Sequence, residues 1–268
     1  MYIFTTFASK NMSEVSSRIK KEAEATGLFG KIVSYNEDEL TPELLASETF
    51  KIKKGFGHYS WKPDVIYQTL LQANDGDIVV YCDAGSMLQK SSEWKKFSSI
   101  LEKYDILGFR MHQRNYKWTR RSVFEYFKDD IKSDWKNLFQ FCANAIIVKK
   151  SPSGLKFIEE WRNLMINRLD LCGDVPPEEL KFEDPRLIEN RYDQTIMTAL
   201  LYKYIDAGLA RGAWEHLEGY DIIKKQAIIA ARIRPGRNPN TFKDPKHILW
   251  RLFRSYIMYP VYDLLYHL

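Results

Sequence analysis

The 268-residue sequence contains little cysteine and no long apolar run. Its three cysteines are scattered and form no CxxC pair, so we expect neither a disulfide framework nor a structural zinc site, and they suit a reducing cytoplasm. No stretch of about 18 uninterrupted apolar residues is present, so a membrane-spanning helix is not predicted. The first residues, MYIFTTFASK, lack a basic lead and a long apolar segment, and we therefore expect no secretory signal peptide.

A general excess of positive charge is also absent. The formal net charge is +5, but residues 224–254 alone carry nine lysines or arginines against one acid, so the remainder of the chain is slightly acidic. This distribution argues against a nucleic-acid-binding protein, and we expect no nucleic acid partner. With 45% hydrophobic residues the chain can bury one sizeable core.

Apolar periodicity in the first half of the chain alternates between strand and helix. Ser13 is placed to begin the first helix and Gly27 to end it. Strand, helix, strand, helix and strand in this order predict an α/β fold with a mainly parallel sheet and helices on both faces. The predicted strands are 2–7, 31–35 and 77–82, and the predicted helices are 13–26 and one starting near Pro63.

The second half keeps the mixed pattern with less regularity. Ser122 and Glu125 have the spacing of a capping box on a short helix. The stretch 170–184 contains six acids and two adjacent prolines, and we expect an exposed loop there. Further strands are predicted at 105–111 and 141–150, and further helices from 151 and at 191–204.

Asp83 is the first candidate ligand, because it ends a buried apolar run at the carboxyl end of a predicted strand, where open α/β sheets bind ligands. It can coordinate a hard divalent cation that also holds phosphate oxygens, or it can simply hydrogen-bond the following turn. Lys62 stands just before a predicted helix, so its charge and the helix dipole can converge on an anion; otherwise it is a solvated surface lysine.

Two other polar positions suit a sugar better than a phosphate. Asp193 and Gln194, at the start of a predicted helix, can both hydrogen-bond hydroxyl groups, although Asp193 can equally cap that helix. Asn144 lies within the apolar strand FCANAIIV, where a buried amide needs partners. Asn144 is therefore either a satisfied core amide or a ligand contact.

Three segments together, in this order, resemble a known family: GFGHYSWKPDVIYQTLLQANDGDIVVYCDAG, FCANAIIVKKSPSGLKFIEEW and RYDQTIMTALLYK. They are similar to nucleotide-sugar-dependent glycosyltransferases of the GT-A fold, especially bacterial surface-polysaccharide enzymes related to the glycogenin and lipopolysaccharide galactosyltransferase group. The resemblance covers residues 1–205. It implies a Rossmann-like, mainly parallel mixed sheet flanked by helices, and the transfer of a sugar from a UDP-sugar with retention of anomeric configuration.

The resemblance also implies roles for individual residues. Asp83 matches the first aspartate of the family's Asp-x-Asp metal motif, but Gly85 stands where the second would be, so the implied Mn²⁺ or Mg²⁺ site is incomplete. The family's late metal-binding histidine has no convincing counterpart, because the corresponding region reads ARIRPGR. Asp193 and Gln194 match the family's Asp-Gln pair and are the implied catalytic residues. The other implied donor-binding residues are Thr5, Thr6, Phe7, Lys62, Ala84, Asn144 and Ala145.

Permanent positive charge offers a physical alternative to a complete metal site. Arg232, Arg234 and Arg237 can hydrogen-bond the diphosphate and neutralise it as it leaves, which is part of what a metal does. We take Arg234 as the donor-binding member of this group.

The C-terminal segment KHILWRLFRSYIMYPVYDLLYHL is dense in aromatic residues, with Arg251 and Arg254 near its start. As an amphipathic helix it suits the surface of an anionic membrane, or it docks on the core or on a second subunit. We therefore divide the chain into a GT-A domain, 1–245, and a tail, 246–268.

The expected protein is a glycosyltransferase with a glycan or lipid-linked acceptor, in the cytoplasm and peripheral on the inner face of the membrane. The alternative is a non-catalytic, membrane-peripheral protein that binds a nucleotide sugar without turning it over, which the replacement by Gly85 favours. A nucleotidyltransferase is disfavoured, because no glycine-rich basic loop follows the first predicted strand.

Overall fold

The computed structural model describes residues 1–214, 226–236, 249–250 and 252–266. Its strands are β1 (Tyr2–Phe7), β2 (Lys31–Tyr35), β3 (Ile78–Cys82), β4 (Met87–Leu88), β5 (Ile106–Arg114), β6 (Phe139–Lys149), β7 (Ala210–Trp214) and β8 (Ile228–Ile229). Six of them form the main sheet in the order β2-β1-β3-β6-β5-β7, and β4 pairs with β8. Only β6 runs antiparallel to its neighbours in the main sheet. The predicted α/β class with a mainly parallel, mixed sheet is confirmed.

The first helix lies where the apolar periodicity places it. Val15, Ile19 and Ala23 form the buried stripe of the first helix, which ends at Gly27 in the left-handed conformation with φ of 68°. The helices are α1 (Ser13–Thr26), α2 (Pro42–Ala46), α3 (Gly55–His58), α4 (Trp61–Leu71), α5 (Glu93–Leu101), α6 (Arg121–Tyr126), α7 (Pro152–Asn167), α8 (Leu169–Cys172), α9 (Tyr192–Asp206) and α10 (Tyr259–Tyr266).

Both faces of the sheet are covered, because successive residues of a strand point to opposite sides. Ile3 and Val79 belong to one apolar cluster, which includes buried residues of α4, α7 and α9. Phe4 and Val80 belong to the other, which includes buried residues of α1 and α5. The ends of β1 and β3 are therefore held between two cores, at the edge of the sheet where α4 begins.

The predicted capping box is wrong. Ser122 lies inside α6 rather than before it, and no side chain of the preceding residue caps the helix. The Arg121 N–H instead donates to the Glu183 carboxylate at 2.6 Å, and the Ser122 hydroxyl donates to the carbonyl of Asp170 at 3.2 Å. Partners from a distant part of the chain thus satisfy this helix end, which local spacing cannot reveal.

Some elements escape the sequence pattern. Helix α5, strand β7 and the small β4–β8 sheet are not predicted, although α5 buries Trp94, Phe97 and Leu101 along one face. The prediction of a loop over the whole of 170–184 is also wrong, because this stretch includes most of α8 and a 3-10 turn, Leu180–Phe182.

The described part of the tail packs against the sheet. The rings of Tyr259 and Trp214 stack at 4.2 Å, and Arg114 donates to the Tyr266 hydroxyl at 2.9 Å. None of the described helices is long and apolar enough to cross a membrane. The predicted boundary after residue 245 lies outside the described residues and stays a prediction. Residues 246–248, 251 and 267–268 of the tail also lie outside the described residues.

Candidate functional site

A buried lysine joins two carboxylates where β3 ends. Lys62 Nζ lies 2.9 Å from Asp193 Oδ2 and 3.4 Å from Asp83 Oδ1, and it donates to the Ala143 carbonyl oxygen at 3.3 Å. The side chains of Lys62 and Asp193 are each 5% exposed, whereas that of Asp83 is 28% exposed. Asp83 is therefore the member of this centre that a ligand can reach from solvent.

Three separate elements bring these charges together. Asp83 follows β3 directly, and its N–H donates to the carbonyl oxygen of Asn144 on β6 at 2.8 Å, which keeps the strand end paired. Lys62 lies in the first turn of α4, and Asp193 lies in the first turn of α9. Two helix N-termini, the positive ends of their dipoles, therefore meet at the same edge of the sheet.

Burial and mutual charge set the protonation of this centre. Burial lowers the pKa of Lys62, but the charges of Asp193 and Asp83 outweigh it and hold that pKa above its ordinary value. Burial raises the pKa of Asp193 to about 6, against the opposing effect of the Lys62 ammonium. The Tyr81 hydroxyl donates to Asp83 Oδ1 at 2.7 Å, and burial together with the Asp83 charge raises the pKa of Tyr81 well above its usual range. At neutral pH two carboxylates and one ammonium leave a net negative charge.

A strained aromatic turn borders the centre. Phe56, His58 and Tyr59 have positive φ angles of 52°, 52° and 63°, and Tyr192 at the start of α9 has 45°. The rings of His58 and Tyr192 stack at 4.3 Å, and the Tyr59 ring centre lies 5.0 Å from Lys62 Nζ. Backbone strain of this kind clusters at functional sites. Sequence reasoning overlooked these residues; the available signal was the density of aromatic residues and glycine in GFGHYSWKP.

Asn144 has a side-chain amide that the fold does not use. It is the half-buried residue among buried neighbours in β6, and no described residue hydrogen-bonds its side chain. Its neighbour Ala145 is fully buried. Gln194, by contrast, donates through Nε2 to Gln140 Oε1 at 2.7 Å and is mostly buried. The amide of Asn144 is therefore available to a ligand, whereas the amide nitrogen of Gln194 is already engaged by Gln140.

Thr5 and Thr6 turn their hydroxyl groups into the protein. Thr6 Oγ1 donates to the last carbonyl of β3 at 2.7 Å, and Thr5 Oγ1 accepts a hydrogen bond from Thr69 at 3.0 Å. Phe7 stacks on Trp61 at 4.3 Å. All three predicted residues are buried, so their contact with a donor's base and ribose stays a prediction.

The turn after β3 is closed by the segment around Ile233. The Ile233 N–H donates to the Gly85 carbonyl at 2.9 Å, and a Cβ added to Gly85 would lie 3.1 Å from the Ile233 carbonyl oxygen. Arg18 donates to the carbonyl oxygens of Ala84 and Ser86. A glycine stands at position 85 because two backbones approach closely there.

Arg234 is exposed beside this turn. It makes no ion pair with any residue in the described ranges, and it follows Ile233 directly. Arg232 is also exposed and has a positive φ of 52°. Arg237, the third predicted arginine, lies outside the described residues. The backbone of Arg234 therefore follows directly on the residue that contacts the turn after Asp83.

The residues present do not fit the predicted Mn²⁺ or Mg²⁺ at Asp83. Over the described ranges, no group of three or more His, Cys, Asp or Glu side chains could hold a metal ion. The Lys62 ammonium lies between the two carboxylates of the centre and would repel a second cation at Asp83. The close approach of Ile233 also means that an aspartate at position 85 would require the Ile233 backbone to shift by a few tenths of an ångström.

Comparisons with known proteins identify the fold. No protein-family model and no curated protein matches the sequence. The apo structure of the WbbM bifunctional glycosyltransferase matches with a TM-score of 0.50 and 11% identity, over 89% of this chain and 46% of that one. The galactosyltransferase LgtC, in complex with donor and acceptor sugar analogues, matches with a TM-score of 0.44 and 12% identity, over 94% and 95%. Mouse xyloside xylosyltransferase 1 matches with a TM-score of 0.41 and 10% identity, over 79% and 84%. The chain has the fold of the GT-A glycosyltransferases.

Proposed function

We propose that this protein is a glycosyltransferase that moves a sugar from a UDP-sugar to a glycan or lipid-linked acceptor in surface-polysaccharide synthesis. The observation that carries the proposal is the centre around Lys62, placed at the strand edge where open α/β sheets bind ligands. A partly exposed carboxylate from Asp83 and an unused amide from Asn144 suit the hydroxyl groups of a sugar. Exposed Arg234 supplies positive charge to the diphosphate.

In the proposed reaction the bond between the anomeric carbon and the diphosphate oxygen breaks, and its electron pair leaves with the nucleoside diphosphate. The acceptor hydroxyl oxygen bonds to the same carbon from the same face and passes its proton to the departing phosphate oxygen. Asp193 is buried and paired with Lys62, and Asp83 pairs with Lys62 through Oδ1 while we assign its Oδ2 to hydroxyl groups of the donor, so we take neither as the base of an inverting reaction. We therefore propose retention, with Asp193 and Gln194 as the catalytic pair beside the positive charge that develops at the anomeric carbon.

A thermal-shift screen of nucleotide sugars tests this function, because a ligand that binds only the folded state raises its stability. At 100 times its dissociation constant, a bound UDP-sugar is expected to stabilise the fold by about 2.7 kcal/mol. Binding with no slow hydrolysis of the donor would favour the non-catalytic alternative. If no nucleotide sugar or nucleoside diphosphate stabilised the protein, both the glycosyltransferase proposal and the non-catalytic, nucleotide-sugar-binding alternative would be contradicted.

Asn144→Ala is expected to weaken donor binding without weakening the fold. No described residue hydrogen-bonds this amide, so its loss should change the free energy of unfolding by less than about 0.5 kcal/mol. The donor loses one hydrogen bond, so its dissociation constant should rise about five- to tenfold. Urea denaturation and calorimetric titration measure the two quantities, and exposed Asn163→Ala on α7 is the control. An unchanged donor affinity would remove Asn144 from the site.

The pH dependence of kcat/KM is expected to show an acidic limb near pH 6, because burial raises the pKa of Asp193 to about 6. Below that pH Asp193 becomes neutral, and Lys62 keeps only one of its two counterions. Activity should fall about tenfold for each further pH unit. Asp193→Asn should be much less active and should lack this limb. A limb that persisted in the variant would belong to another group.

We also propose that the tail attaches the protein to the inner face of the cytoplasmic membrane. One side of α10 packs against Trp214, and the tail exposes a band of large apolar side chains on its other surfaces. Bands of exposed apolar side chains mark interaction surfaces. Aromatic residues with nearby arginine suit the interface of an anionic membrane. The exposed residues are Leu249, Trp250, Phe253, Tyr256, Ile257, Val261, Leu264 and Leu265.

Leu264→Glu is expected to reduce co-sedimentation with phosphatidylglycerol vesicles at least about tenfold, because it places a charge at the most exposed position of the band. Leu264 is 75% exposed, so the fold should be unaffected. Leu71→Glu is the matched control, because Leu71 is 55% exposed at the far end of α4. Equal vesicle binding by both variants and the unchanged protein would contradict attachment through the tail.

A further inference from the structure

Lys62 places a positive charge next to both carboxylates of this centre. Its ammonium group has carboxylate oxygens on two sides, 2.9 and 3.4 Å away, and a carbonyl oxygen of Ala143 on a third at 3.3 Å. Three oxygen ligands from three elements surround a cation that belongs to the chain itself. The side chain is nearly inaccessible to water, so the ammonium cannot move out to solvent without breaking these contacts.

We propose that Lys62 is the resident cation of this site, that it excludes Mn²⁺ and Mg²⁺ from the two carboxylates, and that sugar transfer proceeds without a divalent metal. The last part rests on the proposed glycosyltransferase function, whereas the first two parts concern the folded chain alone. Two like charges within a few ångströms of each other repel strongly in a partly buried site. A divalent ion at Asp83 would have to displace the lysine.

The turn after β3 supports the same conclusion independently. A second carboxylate at position 85 would bring its Cβ to 3.1 Å from the Ile233 carbonyl oxygen, and the Gly85 carbonyl already accepts from Ile233. The second ligand of an Asp-x-Asp site is therefore replaced by a backbone contact. The segment that makes this contact continues directly into exposed Arg234, the arginine that we propose contacts the diphosphate.

The chemistry of Asp83 changes as a consequence. Its Oδ1 accepts from Tyr81 at 2.7 Å and lies 3.4 Å from Lys62, so that oxygen is engaged within the protein. The described residues make no hydrogen bond to Oδ2, and the side chain is partly exposed. In the proposed complex this second oxygen accepts hydrogen bonds from hydroxyl groups of the donor, from its sugar or its ribose. Carboxylate acceptors bind such hydroxyls without any metal.

Calorimetric titration with MnCl₂, in the absence of any nucleotide, tests the exclusion of metal. The unchanged protein is expected to show no saturable binding below about 1 mM, far from the affinity of a resident site. Lys62→Met keeps the length of the side chain and removes its charge. If it folds, it should bind one Mn²⁺ at least tenfold more tightly than the unchanged protein, and the double variant with Asp83→Asn should lose that gain.

Each outcome of these titrations either supports or overturns the exclusion of metal by Lys62. One-to-one Mn²⁺ binding by the unchanged protein that disappears in Asp83→Asn would overturn the proposal, even if Lys62→Met did not fold. A folded Lys62→Met protein that gained no Mn²⁺ affinity would also overturn it, because the lysine would not be what excludes the metal. Binding that persisted in Asp83→Asn would lie elsewhere and leave the centre metal-free. None of these titrations depends on a donor, so failure of the glycosyltransferase proposal would appear separately, as absence of nucleotide-sugar binding.

Discussion

Lys62→Met is expected to lower the free energy of unfolding by about 3 to 5 kcal/mol, because it leaves buried Asp193 and half-buried Asp83 without their shared counterion. The residual activity should be about 10²- to 10³-fold below that of the unchanged protein, the usual effect of removing one preorganised electrostatic contact. Urea denaturation measures the first quantity, and kcat/KM for the donor measures the second. Part of the lost stability should return as the pH falls, because burial raises the pKa of Asp193 and this carboxyl becomes neutral.

Lys203→Met is the matched control. Lys203 also lies between two carboxylates, 3.1 Å from Glu160 and 3.4 Å from Asp130, but its side chain is 30% exposed and water screens the charges. Loss of this contact should cost no more than about 1 kcal/mol and should leave kcat/KM unchanged. If the two lysine variants lost similar stability, burial of the Lys62 centre would not have the energetic importance that we assign to it.

Asp64→Ala is expected to be as destabilising as Lys62→Met, again by about 3 to 5 kcal/mol. Asp64 is fully buried in the first turn of α4, and its Oδ1 accepts from Arg162 Nε at 2.7 Å and from the Thr41 hydroxyl at 2.6 Å. Its Oδ2 accepts from the Thr41 N–H at 3.1 Å. Without this carboxylate, buried Arg162 keeps exposed Glu43 as a carboxylate partner and the Thr41 hydroxyl as a hydrogen-bond acceptor, and neither replaces a buried counterion.

Glu43→Ala separates the buried half of this network from the exposed half. Glu43 also pairs with Arg162, at 2.7 Å, but its side chain is 56% exposed, so its loss should cost at most about 1 kcal/mol. Asp64 anchors the turn of α4 that carries Lys62, so Asp64→Ala should also reduce kcat/KM, whereas Glu43→Ala should not. A larger effect of Glu43→Ala than of Asp64→Ala in urea denaturation would contradict this assignment.

The fold was largely predictable, because local apolar periodicity indicates where strands and helices alternate along the chain. The position of Asp83 at a strand end was recognisable for the same reason, because this residue ends an apolar run. Strand ends in a parallel sheet are where ligands bind. Gly27 was recognisable as a helix stop, because a left-handed residue there favours glycine. These features depend on a few neighbouring residues, and the sequence shows them directly.

The contacts that define the site could not be predicted, because they join residues far apart in the chain. Nothing in the spacing of Lys62 and Asp193 indicates a 2.9 Å contact. The sequence shows that Gly85 replaces the second aspartate of the metal motif. Only the structure shows that the Ile233 backbone lies close to the place that a side chain at position 85 would occupy. The predicted capping box was wrong for a related reason, because the distant Glu183 accepts a hydrogen bond at the start of α6. Pairing of this kind is set by tertiary packing.

The most direct test of a glycosyltransferase with a built-in cation is NMR observation of a UDP-sugar incubated with the protein in excess EDTA. We expect slow release of UDP and a sugar product that keeps its anomeric configuration when first formed, at a rate that added Mn²⁺ does not increase. Complete loss of turnover in EDTA that Mn²⁺ restored would contradict the role of Lys62. An inverted product would contradict the proposed mechanism, and no turnover of any nucleotide sugar, with or without metal, would contradict the function itself.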